Sequence, residues 1–185
     1  MYEHEIHVPK TRLFNHATQE FYYVDEQVVT IVHSLLSISK WEAKWKRPYF
    51  SKKPLTKDQT IDYIRCMTIT KNVKPVVYLA IYSNKELMDE VYAYLDDTMS
   101  AYFFPPSLEE EKGSRELITS DLIYYYMTAF NIDFSCEKWH INRLIMLIQI
   151  CSRKSKHKKK NAKMSRSAIA KRNQMLLSRN KHVGN

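Results

Sequence analysis

Residues 34–50 read SLLSISKWEAKWKRPYF, and this stretch predicts a helix with a tryptophan-rich face. Trp41 and Trp45 are four residues apart, so a helix places both on one side together with Ile38. Pro48 cannot continue a helix, and we expect the helix to end there. We expect a core position for Trp45, which is nearest the Pro48 stop, whereas Trp41 fits either the core or a contact with a partner.

The segment before this helix predicts a small sheet. It is rich in Val, Ile, Tyr and Phe, and apolar and polar residues alternate over parts of it. This composition predicts three strands of an antiparallel sheet, namely His4–Val8, Gln19–Val24 and Gln27–His33. Residues 15–17, Asn-His-Ala, are expected near a turn.

Helical signals dominate the segment that follows the tryptophan helix. Thr56 and Gln59 have the spacing of a capping box, which predicts the start of a helix. The side chains of this helix that we expect to point inward are Ile61, Ile64 and Met67. Residues 76–82 fit either a buried strand or a short helix opened by Pro75.

Three longer helices are predicted further along the chain. Asn84 is the expected N-cap of the first, whose apolar stripe extends to Tyr102 before Pro105 and Pro106 stop it. The other two are expected over Ser114–Asn131 and Ser135–Arg153, joined by a tight connection at Ile132 and Asp133. Three consecutive tyrosines spread around the second of these helices, and Tyr125 fits either an interface anchor or a half-buried position at the core margin.

The charges of the chain are unevenly distributed. Residues 1–151 hold 17 Lys and Arg against 20 Asp and Glu, a net charge of −3. Residues 152–185 hold 12 Lys and Arg and no acidic residue, a net charge of +12. The overall charge of +9 is therefore a property of the C-terminal segment, and its lysine run predicts an extended chain.

These patterns together predict an α+β protein that is mainly α. A small N-terminal antiparallel sheet is followed by a bundle of about five helices and a basic C-terminal tail. We expect a single globular domain over residues 1–153, β-rich over 1–33 and helical over 34–153. Residues 154–185 are expected to form a basic tail that is flexible or partly helical.

The cysteines and the hydropathy predict a soluble protein of a reducing compartment. The three cysteines are an odd number set among apolar residues, so we expect free thiols rather than disulfides: Cys66, Cys136 and Cys151. The N-terminus lacks the pattern of a secretory signal, and the apolar runs are short and interrupted by charges. No membrane span and no membrane partner are therefore expected.

The motifs of enzymes and cofactor sites are missing from the sequence. Only two glycines occur, Gly113 and Gly184, and a phosphate-binding loop requires several. Cys136 and His140 have the spacing of metal ligands on a helix, but no second pair matches them. We therefore expect no enzyme, no cofactor and no metal, with His140 as a hydrogen-bonded histidine.

Two blocks of the sequence resemble a family of tail assembly chaperones encoded by long-tailed bacteriophages. The first block is the tryptophan helix with its Pro48 stop, and the second spans residues 114–151. Within the second block, the runs that are similar to the family are residues 116–119 with 123–125 and residues 136–140 (CEKWH) with 142–144 (NRL). Residues 163–165 (Lys-Met-Ser) give a further likeness at the start of the basic tail.

This resemblance implies a protein that coats the tape-measure protein and prevents its aggregation during tail morphogenesis. The implied setting is the host bacterial cytoplasm, with the protein absent from the mature virion. The tape-measure protein is then the main partner, with the tail tube protein and self-association as further options. The residues expected to contact partners are Trp41, Trp45, Tyr125, Trp139, His140, Lys158, Lys159 and Lys160.

The sequence is also compatible with two other functions. One is a structural component of the virion, such as a connector or baseplate protein, or another part of the tail. The other is a nonspecific nucleic-acid-binding protein that uses the basic tail against phosphates. Nucleic acid is the less favoured partner because the tail contains no aromatic residue for base stacking.

Overall fold

The computed structural model describes residues 2–15, 19–102, 117–155, 170, 171 and 174. The chain divides into two compact units, Met1–Met146 and Leu147–Asn185. In the second unit, residues 147–155 are helical, and residues 170, 171 and 174 are also helical. Lys158, Lys159 and Lys160, the lysines expected to contact a partner, lie outside the described residues. The basic tail over residues 154–185 therefore stays a prediction.

The first unit begins with four short strands, and the predicted antiparallel sheet is confirmed. The strands are β1 (His4–Val8), β2 (Thr11–Asn15), β3 (Glu20–Val24) and β4 (Gln27–Ile31). β1 pairs with β4 and β2 pairs with β3, each pair antiparallel, so the chain runs out along β1 and β2 and returns along β3 and β4. Pro9, which has no N–H, lies at the interruption between the two pairs. We call this element the β-ribbon.

The sequence prediction omitted β2 and misplaced two strand ends. The β2 sequence, TRLFN, contains Arg12 and Asn15, and its apolar content is lower than that of its neighbours. Gln19 lies outside β3 because its backbone has a positive φ of 56°, which no strand residue adopts. His33 lies beyond the end of β4 and is buried, and its main-chain groups bond to Tyr94 and Ile141 rather than to a strand.

Helix α1 (Leu35–Trp45) is the predicted tryptophan helix. The side chain of Ser34 caps its N-terminus by accepting a hydrogen bond from the N–H of Ser37. The helix ends before Pro48, because Lys46 adopts a left-handed conformation with a φ of 51° and its N–H donates to the carbonyl of Glu42 at 2.8 Å. The left-handed cap, two residues ahead of the proline, terminates the helix.

Helices α2 (Lys57–Met67), α3 (Pro75–Ser83) and α4 (Lys85–Asp96) follow. The capping box of Thr56 and Gln59 is present at α2, and Asn84 caps α4 as predicted. The ambiguous segment is the helix α3, opened by Pro75. The expected extension of α4 to Tyr102 is wrong, because Asp97 is extended and Met99 has a φ of 48°.

The last elements of the first unit differ most from the prediction. Helix α5 (Ser120–Ala129) begins after its N-cap Thr119, not at residue 114; residues 103–116 lie outside the described residues. A 3-10 helix (Phe134–Lys138) follows, then two extended residues, and helical residues resume at 141. The prediction of one continuous helix from Ser135 is therefore wrong over its first turns.

The core of the first unit joins the β-ribbon to the helices. The most deeply buried large side chains come from both the strands and the helices: Ile6, Ile31, Leu35, Ile38, Trp41, Tyr63, Ile64, Met67, Ile81, Met127, Ile141 and Leu144. Helix α1 packs against α2 and α5, and α3 packs against α2 and α4. The fold is mainly α with a small sheet, as predicted. Within the described residues, no helix combines the length and the apolar character needed to cross a membrane.

Candidate functional site

Two buried histidines join the halves of the first unit. The main-chain N–H of Ile141 donates to the carbonyl of His33 at 2.8 Å, and Ser34 forms an isolated antiparallel bridge with His140. The main-chain N–H of His33 donates to the hydroxyl of Tyr94 at 3.0 Å, and that hydroxyl donates to the carbonyl of Tyr2 at 2.6 Å. The segment between β4 and α1 is thus tied to the segment that follows the 3-10 helix.

Both histidines are held in the neutral form. Burial, followed by the nearby His140, lowers the pKa of His33 from 6.5 to about 3. Burial also lowers the pKa of His140, against the opposing effects of the Tyr94 carbonyl and of Asp97. The Nε2 of His140 lies 3.1 Å from the Tyr94 carbonyl and its Nδ1 lies 3.4 Å from the N–H of Asn142, which fits a neutral ring protonated on Nε2.

Trp41 is fully buried at the centre of an aromatic cluster. Its ring centroid lies 5.6 Å from that of Tyr49 and 6.3 Å from that of Tyr63, both edge to face. Its Nε1–H donates to the carbonyl of Gln59 at 3.0 Å, so α1 and α2 are fixed to each other. Trp41 is therefore a structural residue and offers no surface to a partner in this conformation.

Trp45 lies at the edge of the same cluster and is only partly buried. Its Nε1–H donates to the carboxylate of Asp62 at 2.9 Å, and the ammonium of Lys44 donates to the same carboxylate at 2.5 Å. Burial alone would raise the pKa of Asp62, but these two hydrogen bonds hold it below its usual value. The expected ranking of the two tryptophans is therefore reversed, with Trp41 in the core and Trp45 at its margin.

An open groove lies beside this core, with a volume of about 540 Å³. Its walls come from the start of the chain, α1, the end of α2 and the 3-10 helix. The apolar side chains that line it are Tyr2, Val32, Leu36, Met67, Ile69 and Trp139. Ile69 is 51 % exposed although it is apolar, so the groove leaves hydrophobic surface in contact with water. We refer to this feature as the Trp139 groove.

The Trp139 side of the groove is stabilised by stacking. The guanidinium carbon of Arg143 lies 5.2 Å from the ring centroid of Trp139 and 5.1 Å from that of Tyr2. The two rings are themselves 6.1 Å apart. Arg143 therefore holds Trp139 and Tyr2 in place as two walls of the groove, and its charge lies near the rim.

The charged residues around the groove are predominantly basic. Lys40 and Lys138 line it and are exposed, and Arg143 adds a third positive charge through its contact with Trp139. Glu3 is the acidic residue among the lining side chains. This local excess of positive charge differs from the net charge of −3 that residues 1–151 carry as a whole.

The outer half of the β-ribbon carries a second apolar surface. The register pairs Arg12 with Tyr23 and Phe14 with Phe21, which places these four side chains on one face. Tyr23 is 69 % exposed, the rings of Phe14 and Phe21 are 4.9 Å apart, and the Arg12 guanidinium carbon lies 4.5 Å from the centroid of Phe21. We call this surface the ribbon face.

The structure separates the eight predicted partner residues into three groups. Trp41 and His140 are buried, and each is bonded within the core. Trp139 lines the groove, Trp45 lies at the margin of the aromatic cluster, and Tyr125 is 64 % exposed on α5. The three lysines of the tail lie outside the described residues. Of the five described residues, Trp139 alone lines the Trp139 groove.

The metal-ligand spacing of Cys136 and His140 has no structural counterpart. The 3-10 helix ends at Lys138, so the two residues do not share a helix face, and Nε2 of His140 is engaged with Tyr94. Among the residues that the structure describes, no group of three or more His, Cys, Asp or Glu side chains could hold a metal ion.

Sequence reasoning missed most of the groove and all of the ribbon face. The local sequence around Tyr2 and Ile69 does not predict a binding surface, because both residues line the groove only through the segments that fold beside them. The ribbon face had a detectable signal, since the FYY run of β3 places aromatic residues on both sides of a strand.

No protein-family model, curated protein or solved structure matches this chain.

Proposed function

We propose that this protein is a bacteriophage tail assembly chaperone that binds the tape-measure protein and prevents its aggregation during tail morphogenesis. In this proposal it acts in the host bacterial cytoplasm and leaves before the virion is complete. The resemblance of the two sequence blocks motivates the choice of family. The observation that carries it is the Trp139 groove, because a holding chaperone needs exposed apolar surface that can cover a client.

The groove also links the two blocks that resemble the family. Leu36 and Lys40 belong to the first block, and Lys138 and Trp139 belong to the second. Residues that are far apart in the sequence thus contribute to one surface. Their shared location supports a common role in binding, as expected if the same client contacts both.

The test is co-expression with the tape-measure protein of the same phage, followed by separation of soluble and pelleted material. We expect the tape-measure protein to stay soluble with the wild-type chain and to pellet with Ile69→Glu, which places a charge in the groove. Tyr92→Glu is the matched control, because Tyr92 is 50 % exposed, close to the 51 % of Ile69, and does not line this groove. Equal pelleting with and without the wild-type chain would refute the proposal.

The ribbon face supports a second candidate function, the binding of single-stranded nucleic acid. Exposed aromatic rings beside an arginine can stack on bases, and the basic C-terminal residues can contact phosphates. This combination supplies the stacking surface that the tail itself lacks. Lys10 and Arg12 are accompanied by Glu20, Asp25 and Glu26, so the charge around the face is mixed and the chaperone proposal is preferred.

A further inference from the structure

We infer that the Trp139 groove binds one amphipathic helix whose apolar stripe is flanked by acidic residues. The inference rests on the proposed function and specifies the client segment that the groove selects. It follows from three properties of the groove: its apolar lining, the paired main-chain groups of the neighbouring strand edge, and the charges at its rim.

The lining can receive the apolar side chains of a helix. Tyr2, Met67, Ile69 and Trp139 come from separate segments and surround an open volume of about 540 Å³. A helix presents side chains at positions i, i+3, i+4 and i+7 on one face, and an apolar groove of this kind accommodates such anchors. Trp139 is a suitable wall because Arg143 and Tyr2 restrict its movement.

The strand edge beside the groove is already paired, which argues against recognition by strand addition. The N–H of Val32 donates to the carbonyl of Met67 at 2.9 Å, and the N–H of Ile69 donates to the carbonyl of Thr30 at 2.9 Å. Strand addition requires unpaired main-chain groups along an edge. At this wall, a bound peptide can therefore contact only side chains of the groove. A peptide helix binds in this way, by inserting its own side chains into an apolar groove.

The rim selects the charge of the helix. Among the lining residues, Lys40 and Lys138 provide two positive charges against the single negative charge of Glu3, and the Arg143 guanidinium lies over the Trp139 ring. Acidic residues beside the apolar stripe would lie close to these cations, whereas lysines in the same positions would be repelled. Charge complementarity of this type contributes to association rate and selectivity more than to raw affinity.

The test uses two synthetic helices of about 20 residues, long enough to be helical, with the same leucine stripe and either glutamates or lysines beside it. We expect the full-length chain to bind the glutamate peptide about tenfold more tightly than the lysine peptide. Lys40→Glu combined with Lys138→Glu should remove this preference. Lys52→Glu combined with Lys74→Glu makes the same change in net charge away from the groove and should preserve it. If the Lys40→Glu, Lys138→Glu double variant fails to fold, the Lys40→Gln, Lys138→Gln double variant replaces it, because it removes the two charges without reversing them.

Thiol labelling locates the peptide. Cys66 lines the groove and is partly exposed, so bound peptide should slow its modification by a maleimide, with Cys66→Ser used to assign the signal. Equal binding of the two peptides, an equal loss of preference in both double variants, or unchanged labelling of Cys66 would overturn the inference. Those outcomes, combined with a soluble tape-measure protein in co-expression, would leave the proposed function standing. If the chain selects the glutamate peptide but does not keep the tape-measure protein soluble, the inference about the groove stands and the proposed function fails.

Discussion

The rings of His33 and His140 meet edge to face in the core, with their centroids 5.0 Å apart. Two imidazoles at this distance cannot both be protonated without strong repulsion, and burial disfavours the charged form of each. Burial and this contact together favour the neutral form of both rings. The contact also joins the segment between β4 and α1 to the residue before the last helical segment of the first unit.

Acid should destabilise the protein, since the folded pKa of His33 is about 3 and its ordinary value is 6.5. Between these pH values the unfolded chain binds the proton and the folded chain does not. The free energy of unfolding should be at its full value above about pH 6.5 and fall by about 1.4 kcal/mol per pH unit as the pH decreases toward 3. Urea unfolding at about pH 7.5 and about pH 5 measures this slope.

Substitution of His33 should reduce the pH dependence of the free energy of unfolding. His33→Asn keeps a polar group near the hydroxyl of Tyr63, which lies 2.5 Å from Nδ1 of His33, but it does not titrate in this range. The control is His7→Asn, because His7 is exposed on the outer face of β1. An unchanged slope in His33→Asn would show that other groups cause the acid sensitivity.

The two tryptophans should differ in their effect on stability. Trp41→Ala removes a fully buried ring and its hydrogen bond to Gln59, and we expect a loss of about 3–5 kcal/mol. Trp45→Phe keeps the aromatic ring and removes a hydrogen bond to Asp62, which should cost about 1.5 kcal/mol because Lys44 still pairs with that carboxylate. Denaturant midpoints measure both. A larger loss for Trp45→Phe would contradict the assignment of Trp41 to the core.

The carboxylate of Glu42 should stabilise the contact between α1 and α5. It accepts hydrogen bonds from the N–H of Tyr49 at 2.7 Å, the N–H of Ser120 at 2.8 Å and the hydroxyl of Ser120 at 2.6 Å. Glu42→Ala should lower the free energy of unfolding by about 2 kcal/mol, because the donors lose their partner. Asp121→Asn controls for the charge effect in the first turn of α5, where Asp121 is exposed, and should cost less than Glu42→Ala in the same urea titration.

The ribbon face provides the test of nucleic-acid binding. If bases stack there, Tyr23→Ala should weaken binding of an oligothymidylate by about fivefold or more, since one stacked base contributes about 1–3 kcal/mol. Tyr125→Ala is the control, because Tyr125 is 64 % exposed and Tyr23 is 69 % exposed, but Tyr125 lies on α5. Fluorescence anisotropy at two salt concentrations measures the affinities. Equal effects of the two variants would remove the second candidate function.

Local signals in the sequence predicted the elements whose ends are determined locally. Thr56 and Asn84 cap their helices because a side-chain oxygen and a nearby N–H suffice for capping, and both are visible in a short stretch of sequence. The continuous helix expected from Ser135 failed for the opposite reason. His140 is extended because it forms a bridge with Ser34 and contacts Tyr94, two residues that are distant in the sequence.

The candidate site was only partly predictable for the same reason. Trp139 was selected from its motif, and it lines the groove, whereas His140 belongs to the same motif and is buried in the core. A pattern of neighbouring residues does not reveal which of two adjacent side chains faces solvent in an extended segment. The basic rim was hidden because residues 1–151 have a negative total charge, and only folding brings Lys40 close to Lys138.

The contact between Tyr2 and Trp139 has a consequence for the timing of activity. Tyr2 belongs to the start of the first unit and Trp139 lies near its end, and their rings, 6.1 Å apart, form one side of the groove only when these two ends have come together. Closing so long a stretch of chain is slow compared with the formation of a single helix. A chain whose two ends have not met therefore lacks this side of the groove, and the client binding proposed above should appear only as the unit completes its folding.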